Sequence, residues 1–245
     1  MKSVVISTFP NAKALPLWVA SDFGMFAGNG FQATIHETGS SSEQRRLLAS
    51  GGIDIAQAAI DNALAMVEAG HELKVVMGGE GGMNEFIVQS HITTFAAMKG
   101  RVLLVDSPDT AYALLARKIL GKHNLAAGVD YEMRPVGNGA KRLRALLADA
   151  DNAGAVLNPP FSELAKSHGL HSLGQFDTLF GPYQAGGAFV MHNWLSANGE
   201  TIEIYIQTYL EALEWTCNPA NEADGIAMLA RRLSLTNDIA KRTLD

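Results

Sequence analysis

The sequence predicts an α/β protein of two lobes, each a mostly parallel sheet flanked by helices. Three observations predict it. Short apolar runs alternate with amphipathic stretches of helical length along most of the 245 residues, the pattern of a sheet with helices packed on both faces. The alternation stops at Gly78-Gly79-Glu80-Gly81-Gly82, restarts, and stops again at Gly186-Gly187; glycine accepts backbone angles other residues avoid, so both places read as crossovers or hinges. Six apolar runs end in a small or polar cluster just ahead of an apparent helix. If those runs are parallel strands, the clusters lie along the carboxyl edges of the sheets, where open α/β folds hold ligands.

In chain order, residues 4–7 read as a buried strand, and residues 16–26 as a helix with Pro16 at its start, where the missing N–H costs nothing. A strand is expected over Phe31–Glu37, a short helix over 43–49 with Leu47 and Leu48 inward, a strand over 53–59, a helix over 62–68 and a strand over 73–77. Beyond the glycine cluster come strands at 86–89 and Val102–Val105, a helix at 110–120, a strand at 131–136, a helix at 140–148, a strand at 153–157 and a helix over Phe161–Ser167. The apolar run 188–191 follows the second glycine pair. From Asn193 the pattern is helical: Ile202, Ile206, Tyr209, Leu210 and Leu213 recur at three- and four-residue spacing, and Ile226, Leu229, Ala230 and Leu233 mark a further helix. The expected division is residues 1–83 plus 188–245 for one lobe and 84–187 for the other.

Composition narrows the function classes. A chain that is 47% hydrophobic with mean hydropathy +0.06 is an ordinary globular one. A net charge of −6 without any Lys/Arg block argues against a nucleic-acid partner. No uninterrupted apolar stretch reaches the ~18 residues of a membrane span. Cys217 is the sole cysteine, which excludes an intramolecular disulfide and a multi-cysteine metal site. The start, Met1-Lys2-Ser3-Val4-Val5-Ile6, holds three consecutive apolar residues, short of the roughly 7–15 of a signal-peptide core. The expected location is therefore periplasmic, or membrane-anchored and extracellular, if a leader was removed, and cytoplasmic if Met1 is the native start.

The candidate ligand-binding residues come from the junctions. Thr38-Gly39-Ser40-Ser41-Ser42-Glu43 has the form of a capping box, Ser40 capping and Glu43 three residues on. A cap explains Ser40; three consecutive hydroxyls exceed what a cap needs, so Gly39, Ser40 and Ser41 are candidates for holding an anionic oxygen beside free helix amides. Asp106-Ser107-Pro108-Asp109-Thr110 reads similarly, with Ser107 as cap and Pro108 first in the helix. Asp109 there would repel an anion and, if it faces ligand, would select an amine or other donor. Asp61-Asn62 opens another helix, Asp61 serving equally well as a plain cap. Thr8, Phe9 and Pro10 end the first strand; Asn158 offers an amide and Phe161 a wall. Trp18 and Tyr183 are candidate apolar walls, though an aromatic at helical spacing is more often core. Gly82 and Met83 would lie on the cleft floor if the glycine cluster is the crossover. His168 and His171 are spaced like metal ligands, but Gly169 intervenes, no third ligand is near and a solvent-exposed loop pair is the better reading. No Walker loop or dinucleotide fingerprint occurs. These readings predict no metal, no cofactor and no catalytic residue, with binding by amides and hydroxyls in place of cationic side chains.

One ordered set of segments resembles a known family. Pro16-Leu17-Trp18-Val19-Ala20 with Gly24 and Phe26, Glu37-Thr38-Gly39-Ser40, Leu48-Ala49-Ser50-Gly51 with Ile53-Asp54-Ile55-Ala56, Lys99-Gly100-Arg101, Val105-Asp106-Ser107-Pro108 and Asn158-Pro159-Pro160-Phe161 resemble the bacterial solute-binding proteins for sulfonates, nitrate and thiamine precursors. The resemblance implies a type II periplasmic-binding-protein fold with two crossover strands. It also implies a small polar or anionic organic ligand (a sulfonate, carboxylate or thiamine-precursor-like molecule) held in an inter-lobe cleft, and an ABC importer permease as partner of a monomeric binding protein. An intracellular enzyme on the same fold stays open: a desulfinase, a pyrimidine synthase or a menaquinone-pathway lyase. The first two would bring a cleft cysteine or a cysteine-rich motif, which Cys217 in the late helical region does not supply. A ligand-sensing module detached from a regulator is a third option, without any DNA-binding segment to support it. The residues favour a binder over an enzyme.

Overall fold

The computed structural model describes residues 2–81, 83–181 and 184–244. The chain divides into two compact units, Met1–Glu80 with Gly186–Asp245, and Gly81–Ala185.

Unit 1 is built on β1 (Lys2–Thr8), β2 (Phe31–Glu37), β3 (Ile55–Ala59), β4 (Leu73–Gly78) and β10 (Gly186–Met191), in the order β2-β1-β3-β10-β4. Between them run α1 (Leu15–Asp22), α2 (Met25–Gly28), α3 (Ser41–Ala49) and α4 (Ile60–Glu68), and after β10 come α9 (His192–Ala197), α10 (Gly199–Cys217), α11 (Glu222–Leu233) and α12 (Asn237–Leu244). Strand β1 is parallel to β2 and β3, whereas β10 runs antiparallel to both β3 and β4. Alternation along the first strand sorts side chains by face: Val4 and Ile6 join the core beneath α1 and α10, and Val5 packs with Phe189 and Ala56 on the other face. Helix α1 is buried from Leu15 to Ala20, Trp18 included, because it lies under α10. The helix expected over 16–26 is two: Gly24 takes φ +68°, an angle costly for other residues, and breaks it.

Unit 2 holds β5 (Glu85–Val88), β6 (Val102–Val105), β7 (Glu132–Pro135), β8 (Asn152–Leu157) and β9 (His171–Gln175), ordered β7-β6-β8-β5-β9. Its helices are α5 (Ala111–Lys122), α6 (Gly139–Ala148), α7 (Phe161–Ser167) and α8 (Phe176–Phe180). Strands β6, β7 and β8 are parallel, and β5 opposes β8 and β9. The period-two pattern again makes two cores: Phe86, Val88, Leu103 and Val105 pack against α5, while Ile87, Leu104 and Leu157 face Leu143 and Leu146 of α6. Both sheets are therefore mixed, with a single reversed strand at the fourth position.

Those reversed strands are the ones by which the chain enters each unit. Glu85 pairs with Leu157, the last residue of β8, and Gly186 with Ala59, the last residue of β3, so the chain enters both sheets from their carboxyl edges. At the unit 1 entry there is no room for a side chain: a Cβ on Gly187 would stand 2.4 Å from Ile60 Cδ1 and 2.6 Å from the Met77 carbonyl oxygen. At the unit 2 entry the Glu85 carboxylate, 7% exposed, accepts from Lys166 Nζ of α7 at 3.1 Å, and Glu163 pairs with the same ammonium. Burial alone would lower the Lys166 pKa; hydrogen bonds to Glu163 and Glu85, with their charges, carry it above the ordinary lysine value.

Gly187→Ala is expected to lower thermal stability by about 1–3 kcal/mol, because backbone cannot yield at that contact, while Gly199→Ala, which meets open space, leaves it within ~0.5 kcal/mol; paired melting curves check both. Lys166→Met leaves Glu85 buried beside no ammonium and costs about 1–3 kcal/mol at neutral pH. A raised lysine pKa stabilises fully below the unfolded value of about 10.4 and loses that stabilisation as pH rises through the folded value. The gap between wild type and Lys166→Met in urea midpoints should therefore shrink above that pH.

Candidate functional site

On the carboxyl edge of unit 1, β1 ends in Thr8, which is buried, with Phe9 and Pro10 half-buried beyond it. A short 3-10 turn, Ala12–Ala14, follows, and Asn11 Oδ1 accepts from the Lys13 amide at 3.0 Å. That turn carries the Lys13 ammonium to the Glu80 carboxylate, where the two form an ion pair with side chains less than a fifth exposed. Burial pushes the Tyr209 phenol above its ordinary pKa; a hydrogen bond to Gln57 opposes the rise, and the charge of the Glu80 carboxylate adds to it.

The α3 junction is a capping box with a variation. Ser40 Oγ accepts from the Glu43 amide at 3.2 Å, and Glu43 Oε2 reaches back to the Gly39 amide at 3.0 Å, one residue before the cap. Thr38 Oγ1 donates to the Ser40 carbonyl at 3.0 Å. The protein's own carboxylate thus sits where the sequence places an anionic ligand oxygen, and part of the positive end of α3 is already neutralised. Ser41 is buried and Ser42 exposed. Below them Gln44 Nε2 donates to the carbonyl and hydroxyl of Ser7, both at 3.1 Å, and Ser7 Oγ lies 3.4 Å from His36 Nδ1. Gln44 Oε1 and Asn62 Oδ1 are buried and meet no donor among the described residues.

Several expectations are corrected here. Helix α4 starts at Ile60 with Ala59 at the cap position, so Asp61 is a first-turn residue and not an N-cap; its carboxylate still favours the helix dipole. Trp18 is fully buried in the unit 1 core, with the Arg232 guanidinium over its ring, and forms no wall. Ser107 does not cap α5 and Pro108 is not its first residue. Pro108 and Asp109 are the middle of a turn closed by the Thr110 amide on the Ser107 carbonyl at 3.1 Å, and Thr110 holds the cap position without a side-chain cap. Proline at the second position of a turn presets its φ, and Ser107 Oγ bonds Asp109 within that turn. His171 opens strand β9 and is not a loop residue. Gly82 and Tyr183 lie outside the described residues, and Met83 is exposed.

On the carboxyl edge of unit 2, Asp106 follows β6, Asn138 caps α6 by accepting from the Lys141 amide at 3.2 Å, and Asn158 precedes α7. The Asn158 carbonyl accepts from the amides of Phe161 and Ser162, and the residue is 7% exposed. Gly139 lies directly against the Phe161 ring; a Cβ there would be 2.5 Å from Phe161 Cδ2. The structure thus brings Ser107, Asp109, Thr110, Asn158 and Phe161 to one sheet edge in unit 2, and Thr8, Phe9, Pro10, Gly39, Ser40, Ser41, Asp61 and Asn62 to one edge in unit 1.

One group on that edge carries no mark in the sequence. Arg142, one turn into α6, is only 7% exposed; its Nη1 donates to the Gly137 carbonyl at 2.6 Å and its Nε has no acceptor among the described residues. Burial holds its pKa below the usual guanidinium value, opposed by the charge of Asp106 and by Tyr112. In sequence it is one of three basic residues within Lys141-Arg142-Leu143-Arg144, and only the fold separates it from its exposed neighbours. Among the described residues no group of three or more His, Cys, Asp or Glu is placed to hold a metal ion, and no helix is long and apolar enough to cross a membrane.

Comparison with known proteins accords with this architecture. A family model described as NMT1-like matches residues 1–230. The chain belongs to the NMT1-like family. No curated protein matches it. Among solved structures, the alkanesulfonate-binding protein SsuA of Xanthomonas axonopodis, bound to MOPS, is similar with a TM-score of 0.85 at 19% identity over 100% of this chain and 83% of that one. The periplasmic aliphatic sulphonate-binding protein SsuA of Escherichia coli has a TM-score of 0.82 at 17% identity, covering 100% of this chain and 79% of that one. The periplasmic nitrate-binding protein NrtA of Synechocystis gives 0.86 at 15% identity, over 98% of this chain and 69% of that one. Two mixed five-stranded sheets flanked by helices, each entered by a reversed strand, are the type II periplasmic-binding-protein fold.

Ser40→Ala removes the α3 cap and should cost about 1 kcal/mol, read as a lower urea midpoint with an unchanged slope. Ser42→Ala, on the exposed side of the same helix, should stay within ~0.5 kcal/mol.

Proposed function

We propose that this chain is the solute-binding component of an ABC importer, capturing a small polar or anionic organic molecule and delivering it to the permease outside the cytoplasmic membrane. One observation carries the reading: polar strand–helix junctions collect on the carboxyl edge of each sheet, and the chain enters each sheet at that same edge. Loops at such edges supply unsatisfied amides, hydroxyls and amide side chains in a small area. Asn158 and Asn62 are buried polar side chains on these edges, the kind of group a ligand satisfies at little reorganisation cost. The exposed Cys217 ends α10, about two helical turns beyond Tyr209, which disfavours thiol chemistry at the carboxyl edge. Membership of the NMT1-like family and the likeness to sulfonate- and nitrate-binding proteins support the same reading.

Thermal-shift measurements on the purified chain with sulfonates, nitrate, aromatic carboxylates and pyrimidines test it. A molecule that binds only the folded state at a hundred times its Kd stabilises by about 2.7 kcal/mol, so at least one class should raise the melting temperature by several degrees. Asn158→Ala should weaken that response. No stabilisation by any class, or turnover of a compound in place of retention, would sink the proposal.

A further inference from the structure

Strand β4 is the last strand of the unit 1 sheet, paired with β10 on one side and, among the described residues, with no strand on the other. Such an edge presents a row of unpaired backbone groups. Alternation decides which groups face out. The His192 amide donates to the Glu72 carbonyl at 2.9 Å, and Lys74 stands opposite Val190, so Glu72 and Lys74 turn their backbone groups toward β10. Leu73 and Val75 therefore turn theirs outward. Side chains divide in the same register. Leu73 packs with Met66 and Ala63 of α4, which puts Leu73 and Val75 on the α4 side of the sheet and Glu72 and Lys74 on the opposite side. On the α4 side Val75 is 47% exposed, and Leu64 and Val67, neighbours on one face of α4, are 58% and 52% exposed. Glu72 and Lys74 are exposed as well, and neither has an ion-pair partner among the described residues.

We propose that β4 is a self-association edge: two copies of this chain pair it antiparallel about Leu73, joining their five-stranded sheets across a twofold axis. In that register Leu73 faces Leu73 of the second copy, and the outward amide and carbonyl of each exchange hydrogen bonds. Lys74 then stands opposite Glu72 of the second copy, in the non-hydrogen-bonded position where side chains come closest. Twofold symmetry repeats that ion pair with the copies exchanged. Charge complementarity selects the occupant. A lysine on an edge strand discourages an arbitrary apolar strand from adding, whereas this chain carries a matching glutamate two residues away. The exposed apolar side chains of β4 and α4 from both copies share one side of the joined sheet, where their burial adds to the pairing. The inference concerns unit 1 alone and does not depend on which solute the protein takes. It replaces the monomer that the family resemblance implies with a dimer.

Sedimentation velocity of the full chain, from micromolar to sub-millimolar concentration, is the test. The mass should rise from 26.1 kDa toward twice that value. Lys74→Glu or Glu72→Lys alone sets like charges opposite each other at both symmetric positions and should weaken self-association about tenfold or more. Mixing the two variants should restore it, because one chain then presents two glutamates to two lysines of the other. Amide exchange fixes the register: exchange at Leu73 should slow as concentration rises, while that at Lys74, whose amide is directed at β10, stays constant. A dimer indifferent to both charge changes, or a mixture no more associated than its parts, overturns the proposal. A chain that stays monomeric at every concentration leaves the edge to a strand of another protein and overturns it too. Should either variant not fold, Leu73 exchange in the wild type decides, since a rate independent of concentration sinks the pairing.

Discussion

Each sheet contains one strand that runs against its neighbours, and the rest of the molecule follows from that reversal. A strand that begins where its partners end must be fed from the carboxyl edge, so β5 and β10 draw both chain crossings to the edge where the strand–helix junctions lie. The close approach of the Ile60 side chain and the Met77 carbonyl to Gly187 is the local condition for β10 to fit between β3 and β4. At the other entry a buried carboxylate on β5 is matched by Lys166 of α7, tying the incoming strand to the helix after β8. Side-chain volume limits one entry and charge pairing anchors the other.

The two carboxyl edges differ in electrostatics although their topology is the same. In unit 1 the amino end of α3 is served by residues of its own turn, Ser40 and Glu43, and the nearby Lys13 ammonium is held by Glu80. Positive potential there is met internally. In unit 2 the amino end of α6 has an amide-bearing cap and an added buried cation, Arg142. There the charge of Asp106, which follows β6, acts on the guanidinium.

Much of the element order was legible in the residues because local rules govern it. The strands Phe31–Glu37 and Val102–Val105 and the helix Phe161–Ser167 have the bounds their patterns predict. The Ser40 cap was legible too, since a hydroxyl followed three residues later by glutamate names its own partners. Where local signals were weak, reading failed. His171-Ser172-Leu173-Gly174-Gln175 has no alternation, and becomes a strand only because β5 offers it an edge. Asp61 and Ser107 look like caps in sequence, yet the helices begin one residue earlier and four residues later, because the preceding strand end and the Pro108 turn set the entry.

By itself, then, the sequence determined a two-part α/β chain with small and polar residues at strand ends, because period, glycine placement and capping chemistry act over a few neighbours. Only tertiary structure decided which strands reverse, that Trp18 is core, and that one arginine of a basic stretch is buried at a helix end while Lys141 and Arg144 stay in solvent. Burial and strand pairing depend on residues far apart in the chain, and no local pattern records which side chain will lose its water.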